Sequence, residues 1–386
     1  MTTDNIIYLD NAATTRVDRD AADIALRMMC ELYANPSSAH AFGFEAEKVL
    51  DNARAQIMKA LGVTSREGTV VFTSCGTEAD NMALFGAVQT NARRGRHIVL
   101  SDAEHPAMEN AAKELEKQGY TVSRIPTRGG KLDMDFAEKA ITPDTVFVSC
   151  MAVNNETGAV FDIESLCKLT RKNAPHAFFH TDAVQAFTKI PHLADSGADL
   201  IAVSGHKIHA PKGIGALFIR KGVRIPAYII GGGQENGLRS GTEALPSIAA
   251  FGLAAEKAAS DLTSRMASMA QKKQRLIDTL AACDGVRINS GTKGFAPHII
   301  SLSVPGIRSE ILLRALSAEG IYVSAGSACS SKHADNRVLS AFGLDDKTAD
   351  STLRVSLSAE TTDEDIDAFC ASLLKNRAAL LPTTSK

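Results

Sequence analysis

Short apolar runs rich in valine, isoleucine and phenylalanine recur through the first two thirds of the chain. They cover residues 69–74, 96–101, 145–150, 177–182 and 199–204. Longer segments with helix-forming composition, such as residues 78–94 and 107–119, lie between them. Buried strands that alternate with helices are typical of βαβ units, in which a parallel sheet is covered on both faces. The pattern predicts an α/β fold with a mostly parallel sheet.

The remaining segments extend this prediction. Residues 45–62 have helical spacing, and the run 213–219 follows Lys207 too closely for a crossover helix, so we expect it to return antiparallel. Residues 246–283 predict one long helix, or two in sequence, that leaves the large domain. Beyond them the segments 298–304, 309–320, 321–329 and 351–358 predict strand, helix, strand and strand, followed by a final helix capped by threonine. We therefore expect a large domain over residues 15–258 and a smaller α+β domain built from residues 1–14 and 259–386.

Composition excludes several classes of function. The 386 residues carry a formal net charge of −2, which does not suggest a nucleic-acid or membrane-surface partner. No apolar run reaches the length of a membrane span, and the first 15 residues do not resemble a secretory signal. The seven cysteines are scattered and form no CxxC pair, so we expect reduced thiols in the cytoplasm, no disulfide framework and no metal site.

Polar side chains follow five of the predicted strands, where ligands of open parallel sheets bind. They are Gly76 and Thr77, His105, Asn154 and Asn155, Asp182 and Gln185, and finally Ser204, His206 and Lys207. Each has an ordinary structural explanation when taken singly, such as a helix cap, a turn or a solvated lysine. Five such endings in an otherwise apolar sheet favour one shared ligand site.

The set matches the needs of pyridoxal 5'-phosphate. A helix N-terminus at Gly76–Thr77 suits a phosphate group, because its free N–H groups and dipole favour an anion. A carboxylate keeps the pyridine nitrogen protonated, and a lysine forms the Schiff base with the cofactor aldehyde. Schiff-base formation also accounts for a lysine, Lys207, that follows directly after an apolar run expected to be buried.

Six motifs along the chain carry a family resemblance. They are "ANPSSAH", "VNNETG", "HTDAVQ", "SGHKIHAPKGIGAL", "GLRSGT" and "GSACSS". Together they resemble the cysteine desulfurases of the NifS/IscS type, in the class-V aminotransferase family. The resemblance implies a fold-type I pyridoxal-phosphate enzyme that acts as a homodimer. It also implies that sulfur moves from L-cysteine to an enzyme cysteine, with release of L-alanine.

The resemblance gives each candidate residue a role around the cofactor. Lys207 would form the Schiff base, Asp182 would pair with the pyridine nitrogen, Gln185 with the ring hydroxyl, and His105 would stack on the ring. The phosphate would be held by Gly76, Thr77, Ser204 and His206, with Thr242 reaching it from the partner subunit.

The resemblance also assigns the substrate contacts. Asn35, Asn155 and Arg354 would orient L-cysteine, and Arg354 would take its carboxylate through a two-pronged contact. Cys329 would be the nucleophile that becomes a persulfide. Its small polar neighbours predict an exposed loop that reaches both the cofactor and an acceptor.

The chain departs from the family's sequence pattern at two places, and several alternative functions remain open. The turn at residues 74–78 reads Ser-Cys-Gly-Thr-Glu where the family usually has Ser-Gly-Ala-Thr-Glu, and we expect the additional Cys75 to be structural. The segment after Cys329 lacks the usual acidic-Pro-Ser run. The alternatives on this fold are a selenocysteine lyase, a cysteine-sulfinate enzyme and an aminotransferase, and a non-catalytic sulfur carrier is a further one. A nucleotide-binding enzyme ranks last, because no GxGxxG opens the first helix. The sulfur acceptor could serve iron–sulfur cluster assembly or tRNA thiolation.

Overall fold

The computed structural model of the chain describes residues 6–191, 193–325 and 336–381. The strands in this part of the chain are β1 Ile7–Tyr8, β2 Gly68–Thr73, β3 His97–Ser101, β4 Thr121–Ile125, β5 Thr145–Ser149, β6 Phe178–Asp182, β7 Leu200–Ser204, β8 Gly215–Arg220, β9 Arg287–Ile288, β10 Ile299–Ser303, β11 Ile321–Tyr322, β12 Ser324–Ala325 and β13 Thr352–Ser356. The α-helices are α1 Arg19–Cys30, α2 Ala41–Leu61, α3 Gly76–Thr90, α4 Pro106–Lys117, α5 Met134–Ala140, α6 Ile163–Asn173, α7 Leu245–Ser260, α8 Leu262–Ala281, α9 Ser309–Ala318, α10 Arg337–Phe342, α11 Asp346–Asp350 and α12 Asp363–Leu380.

The large sheet confirms the predicted α/β architecture. Its seven strands run in the order β2-β8-β7-β6-β5-β3-β4. Strand β8 pairs antiparallel with both of its neighbours, as expected, and the other pairs are parallel. The edge strand β4 was not predicted, because its sequence TVSRI is half polar and partly exposed, as befits an edge.

Helices cover both faces of this sheet. Residues of α3 and α4 form one apolar cluster with the sheet, in which Met82 and Met108 are fully buried. Residues of α1, α2, α6 and α7 form a second cluster on the opposite face around Ile57 and Phe251. Burial on both faces explains why β5 and β7 read as continuous apolar runs rather than alternating ones.

A second, smaller sheet holds the C-terminal part of the chain. Its order is β12-β13-β10-β9, with antiparallel pairing throughout, and β1 pairs parallel with β11 beside it. A third apolar cluster joins Leu9 to residues of α8, α9 and α12. The domain division at residues 258 and 259 stays a prediction.

The C-terminal helices settle two open points. The expected helical stretch 246–283 is two helices in sequence, because α7 ends at Ser260 and α8 begins at Leu262. The predicted threonine cap is confirmed, since Thr362 and Asp365 form a reciprocal capping box at the start of α12. The segment expected as one strand over 321–329 is split into β11 and β12, and its end lies outside the described residues.

Across the described ranges, every helix is too short or too polar to cross a membrane.

Candidate functional site

A cavity of about 300 Å³ lies at the carboxyl ends of the central strands. It collects most of the residues that the sequence singled out: Gly76, Thr77, His105, Asn155, Asp182, Gln185, Ser204, His206, Lys207 and Arg354. These residues come from loops that follow five strands of the large sheet and, in the case of Arg354, from β13. The topology therefore converges on one site, as the rule for open parallel sheets predicts.

Lys207 lies on the short 3₁₀ turn that follows β7. Its Nζ atom donates hydrogen bonds to the carbonyl oxygens of Ala12 and Ala13, at 2.7 Å each. Burial lowers the pKa of Lys207 to about 8, and the charge of Arg354 acts in the same direction. Lowering the pKa from its usual value makes the neutral, nucleophilic amine far more accessible near neutral pH than in an exposed lysine.

Asp182 and His105 both line the cavity, and each affects the pKa of the other. Burial raises the pKa of the Asp182 carboxyl, while His105, the Val184 N–H and Lys207 oppose the shift. Burial lowers the pKa of His105, so its ring is neutral. Its Nδ1 atom accepts the N–H of Ala107 and thereby caps α4, which fixes the orientation of the ring.

The N-terminus of α3 opens onto the same cavity. Its N-cap residue Cys75 makes no side-chain capping bond, unlike His105 at α4. A Cβ atom on Gly76 would lie 2.8 Å from a Val184 methyl carbon, so a larger residue there would require the Val184 side chain to shift. Beside it, the buried Ser204 Oγ atom has no hydrogen-bond partner.

Gln185 and Arg354 also line the cavity. Gln185 donates from Nε2 to the Ala12 carbonyl at 2.9 Å, while its buried Oε1 atom has no partner. Arg354 donates to Asp10 Oδ1 at 2.8 Å and to the Asn155 carbonyl at 2.9 Å, and its buried Nε atom has no partner. Both side chains are thus held by protein groups while one polar atom of each stays unpaired.

Two predicted residues, Thr242 and Asn35, do not line this cavity. Thr242 lines a neighbouring cavity of about 210 Å³, in a loop held by the ion pair of Arg239 with Glu78 at 2.8 Å. Asn35 lies in the turn before α2, where its Oδ1 atom accepts the N–H of Ser37, and it does not line the cavity. Cys329 lies outside the described residues.

The sequence reasoning missed several lining groups. Asp80, which is 2% exposed, lies on α3 three residues after Thr77, so the two share a helix face. This spacing is a signal that could have revealed it. The carbonyl groups of Ala12 and Ala13 carry no side-chain signal at all. Cys75 also lines the cavity.

These groups fit pyridoxal phosphate. The phosphate group suits the N-terminus of α3, which has no side-chain cap and begins with Gly76, together with the unpaired Ser204 hydroxyl. The Asp182 carboxyl suits a protonated pyridine nitrogen, and the free Gln185 oxygen suits a ring hydroxyl. The Lys207 amine suits an aldehyde. In the part of the chain that the structure describes, no cluster of three metal-binding side chains occurs.

Comparisons with known proteins agree with this chemistry. The family model "Aminotransferase class-V" matches residues 7–369. A cysteine desulfurase of Trichormus azollae is 41% identical over 94% of this chain and 90% of its own length. The cysteine desulfurase IscS of Klebsiella pneumoniae is 39% identical over 96% of this chain and 92% of its own length. A solved structure described as a NifS-like protein superposes with a TM-score of 0.91 at 36% identity, covering 97% of this chain and all of that one.

The comparisons confirm the fold-type I architecture and the pyridoxal-phosphate dependence that the residues predicted. They do not favour a selenocysteine lyase or another sibling activity, since the similar proteins are named cysteine desulfurases. The chain therefore belongs to the class-V aminotransferase family and, within it, to the cysteine desulfurases, which are pyridoxal-phosphate enzymes.

Proposed function

We propose that this enzyme converts L-cysteine to L-alanine and transfers the sulfur to Cys329, which becomes a persulfide. In the balanced net reaction the substrate loses one sulfur atom and keeps its hydrogens, and the Cys329 thiol becomes Cys–S–SH. An acceptor then takes the terminal sulfur. The observation that carries the proposal is the convergence of Lys207, Asp182, His105 and Arg354 on one cavity.

Lys207 is the proposed acid–base residue and the covalent anchor of the cofactor. When bound, pyridoxal phosphate supplies an electron sink for the charge that develops at the substrate Cα. The Lys207 amine takes the Cα proton at Nζ, and its pKa of about 8 supports this role near neutral pH. Asp182 holds the ring nitrogen in its protonated state, and His105 packs on the ring.

Phosphate and substrate are proposed to occupy opposite ends of the cavity. The phosphate end is built by Gly76, Thr77, Ser204 and His206. At the substrate end Arg354 binds the carboxylate of L-cysteine, with Asn155 beside it. Asn35 does not line the cavity, and its proposed contact with the substrate is supported by the family resemblance alone. The unpaired Arg354 Nε atom and the fixed position of its guanidinium group support this assignment.

The active form is proposed to be a homodimer in which Thr242 binds the phosphate of the partner subunit's site. Thr242 lines a cavity other than that of its own Lys207, which supports a role in trans. The nearby Ile230 is 89% exposed, as expected for a side chain that a second copy covers.

The sulfur acceptor and the compartment are also proposals. The acceptor is a scaffold protein for iron–sulfur clusters or a thiolation enzyme, and the reaction takes place in the cytoplasm. The membership in the cysteine desulfurases supports a sulfur acceptor of this kind, and the scattered cysteines support a reducing compartment.

Mass spectrometry after turnover tests the proposed function. The purified enzyme is loaded with pyridoxal phosphate, mixed with L-cysteine and digested without a reductant. We expect an added sulfur atom on the peptide that contains Cys329 and an equal amount of alanine. Added sulfur on another cysteine, or alanine formed without any added sulfur, would contradict the proposal.

A further inference from the structure

Two carboxyl groups line the cavity where the proposed function needs only one. Asp182 ends β6 and is 5% exposed, and Asp80 lies on α3 and is 2% exposed. Among the described residues, neither forms an ion pair with a lysine or arginine. The charge of Asp182 raises the pKa of the Asp80 carboxyl, so two ionised carboxylates in this buried site would repel each other and one of them is favoured to be neutral.

His180 provides Asp80 with a partner. It lies two residues before Asp182 on β6, so both side chains leave the same face of the sheet. The Nε2 atom of His180 lies 3.5 Å from Asp80 Oδ1, and both atoms are buried without any other hydrogen-bond partner. Leaving a buried polar atom without a hydrogen-bond partner is unfavourable, so two such atoms that face each other favour one shared proton.

The tautomer of His180 is fixed on its other side. Its Nδ1 atom lies 2.9 Å from the hydroxyl of Ser149, and its ring stacks on Phe147 with the centroids 5.7 Å apart. If Nε2 accepts a proton from Asp80, Nδ1 carries the ring hydrogen and donates it to Ser149. All polar atoms of the histidine are then satisfied without any net charge.

The surrounding charges place the shared proton on Asp80. Burial and the neighbouring Asp182, Glu104 and Cys75 raise the pKa of Asp80 well above its usual range. Burial lowers the pKa of His180 to about 3, so its ring stays neutral. The neutral pair avoids the desolvation cost of a buried ion pair.

We propose that Asp80 is a positioning residue that keeps its proton and donates it to Nε2 of His180, so that the negative charge at this end of the cavity stays on Asp182. The benefit for catalysis rests on the proposed function, because it concerns the carboxylate that faces the pyridine nitrogen. An ionised Asp80 would compete for that nitrogen and would further raise the pKa of Asp182.

Infrared spectroscopy of the apoprotein tests the protonation state directly. We expect a carboxylic-acid C=O band in the wild-type protein that is absent from Asp80→Asn. Glu104 is also buried, with a pKa of about 7, so the spectra are recorded one to two pH units above that value, and Glu104→Gln serves as the matched control. If the wild-type and Asp80→Asn spectra show the same carboxylic-acid band, Asp80 is ionised and the inference is wrong.

The loaded enzyme gives a second test. Asp80→Asn keeps a neutral group that donates to His180, so we expect kcat/KM within about threefold of wild type and an unchanged pH dependence of the cofactor absorbance. Asp80→Ala leaves His180 unpaired and should lose about tenfold in kcat/KM, whereas Asp182→Asn should lose about 100-fold or more. A loss in Asp80→Asn as large as that in Asp182→Asn would show that the charge of Asp80 is required and would overturn the inference. If wild type itself fails to turn over cysteine, the proposed function fails, and the infrared result still decides the charge of Asp80.

Discussion

The amine of Lys207 lies 2.7 Å from the backbone carbonyl of Ala12, a residue almost 200 positions earlier in the chain. The carbonyl oxygens of Ala12 and Ala13 thus provide two hydrogen-bond acceptors for the buried amine of Lys207, and no carboxylate forms an ion pair with this amine among the described residues. Dipoles of this kind stabilise the protonated form less than a paired anion would. Lys207 is therefore positioned firmly while it still loses its proton readily.

Replacing Lys207 with alanine should remove the covalent attachment of the cofactor. We expect Lys207→Ala to lose the reducible visible absorbance and to lower cysteine turnover by about 10³-fold or more, because both the anchor and the proton acceptor are gone. Absorbance before and after borohydride treatment is the measurement. A cofactor still linked to a lysine in Lys207→Ala would assign the anchor to another residue.

The lowered pKa of Lys207 predicts how fast the apoprotein captures its cofactor. Only the neutral amine attacks an aldehyde, and the neutral fraction rises as the pH increases through the pKa of about 8. The rate of covalent attachment should therefore rise with a midpoint near that value and level off above it. Arg354→Gln should move the midpoint upward, since the charge of Arg354 lowers the pKa of Lys207. A wild-type midpoint near 10.5 would show that burial does not perturb this amine.

Cys329 should be dispensable for cofactor binding and essential for sulfur transfer. We expect Cys329→Ser to keep the visible spectrum of the loaded enzyme and to form no persulfide. The matched controls are Cys75→Ser, at the wall of the cavity, and Cys30→Ser, on the surface. Sulfide release with a thiol reductant is measured for all three. Undiminished release from Cys329→Ser would show that another group accepts the sulfur.

Arg354 should matter mainly for substrate binding. Removing a charged hydrogen-bond donor costs about 1.5–3 kcal/mol, so Arg354→Ala should raise the KM for cysteine by about 10- to 100-fold. Arg354→Lys keeps the charge but not the planar fork, and we expect an intermediate KM. A KM that stays constant in both variants would place the substrate carboxylate elsewhere.

The loop that carries Thr242 should depend on a buried ion pair. Glu235 is 6% exposed and accepts hydrogen bonds from Arg54 Nη1 at 2.8 Å and from the Phe72 N–H at 3.0 Å. Glu235→Ala removes the carboxylate partner of the partly buried Arg54 guanidinium and leaves the Phe72 N–H without its acceptor, which should cost about 1–3 kcal/mol of unfolding free energy. Urea denaturation measures the change, and the exposed Glu67→Ala is the control. Equal midpoints for the two variants would contradict the expectation.

The side-chain pattern alone located most of the site. Every strand end that the apolar runs marked contributes to the cavity, because parallel strands bring their carboxyl ends to one edge. The pattern could not show Ala12, whose contribution is a backbone carbonyl, whereas Asp80 could have been found from its position three residues after Thr77 on the same helix. Strand β4 was missed for a related reason, since an edge strand lacks the continuous apolar run that marks a buried one.

The extreme ends of the fold meet at this site, and this has a consequence for biosynthesis. The Ala12 N–H donates to the hydroxyl of Ser356, 344 positions later, and β1 finds its neighbour only in β11. Until the C-terminal strands have been made, β1 and the Ala12 N–H lack these partners, although the Ala12 carbonyl can already accept from Gln185 and Lys207. The pairing of β1 with the small sheet, unlike the contacts of Lys207, is therefore completed only when nearly the whole chain has been synthesised.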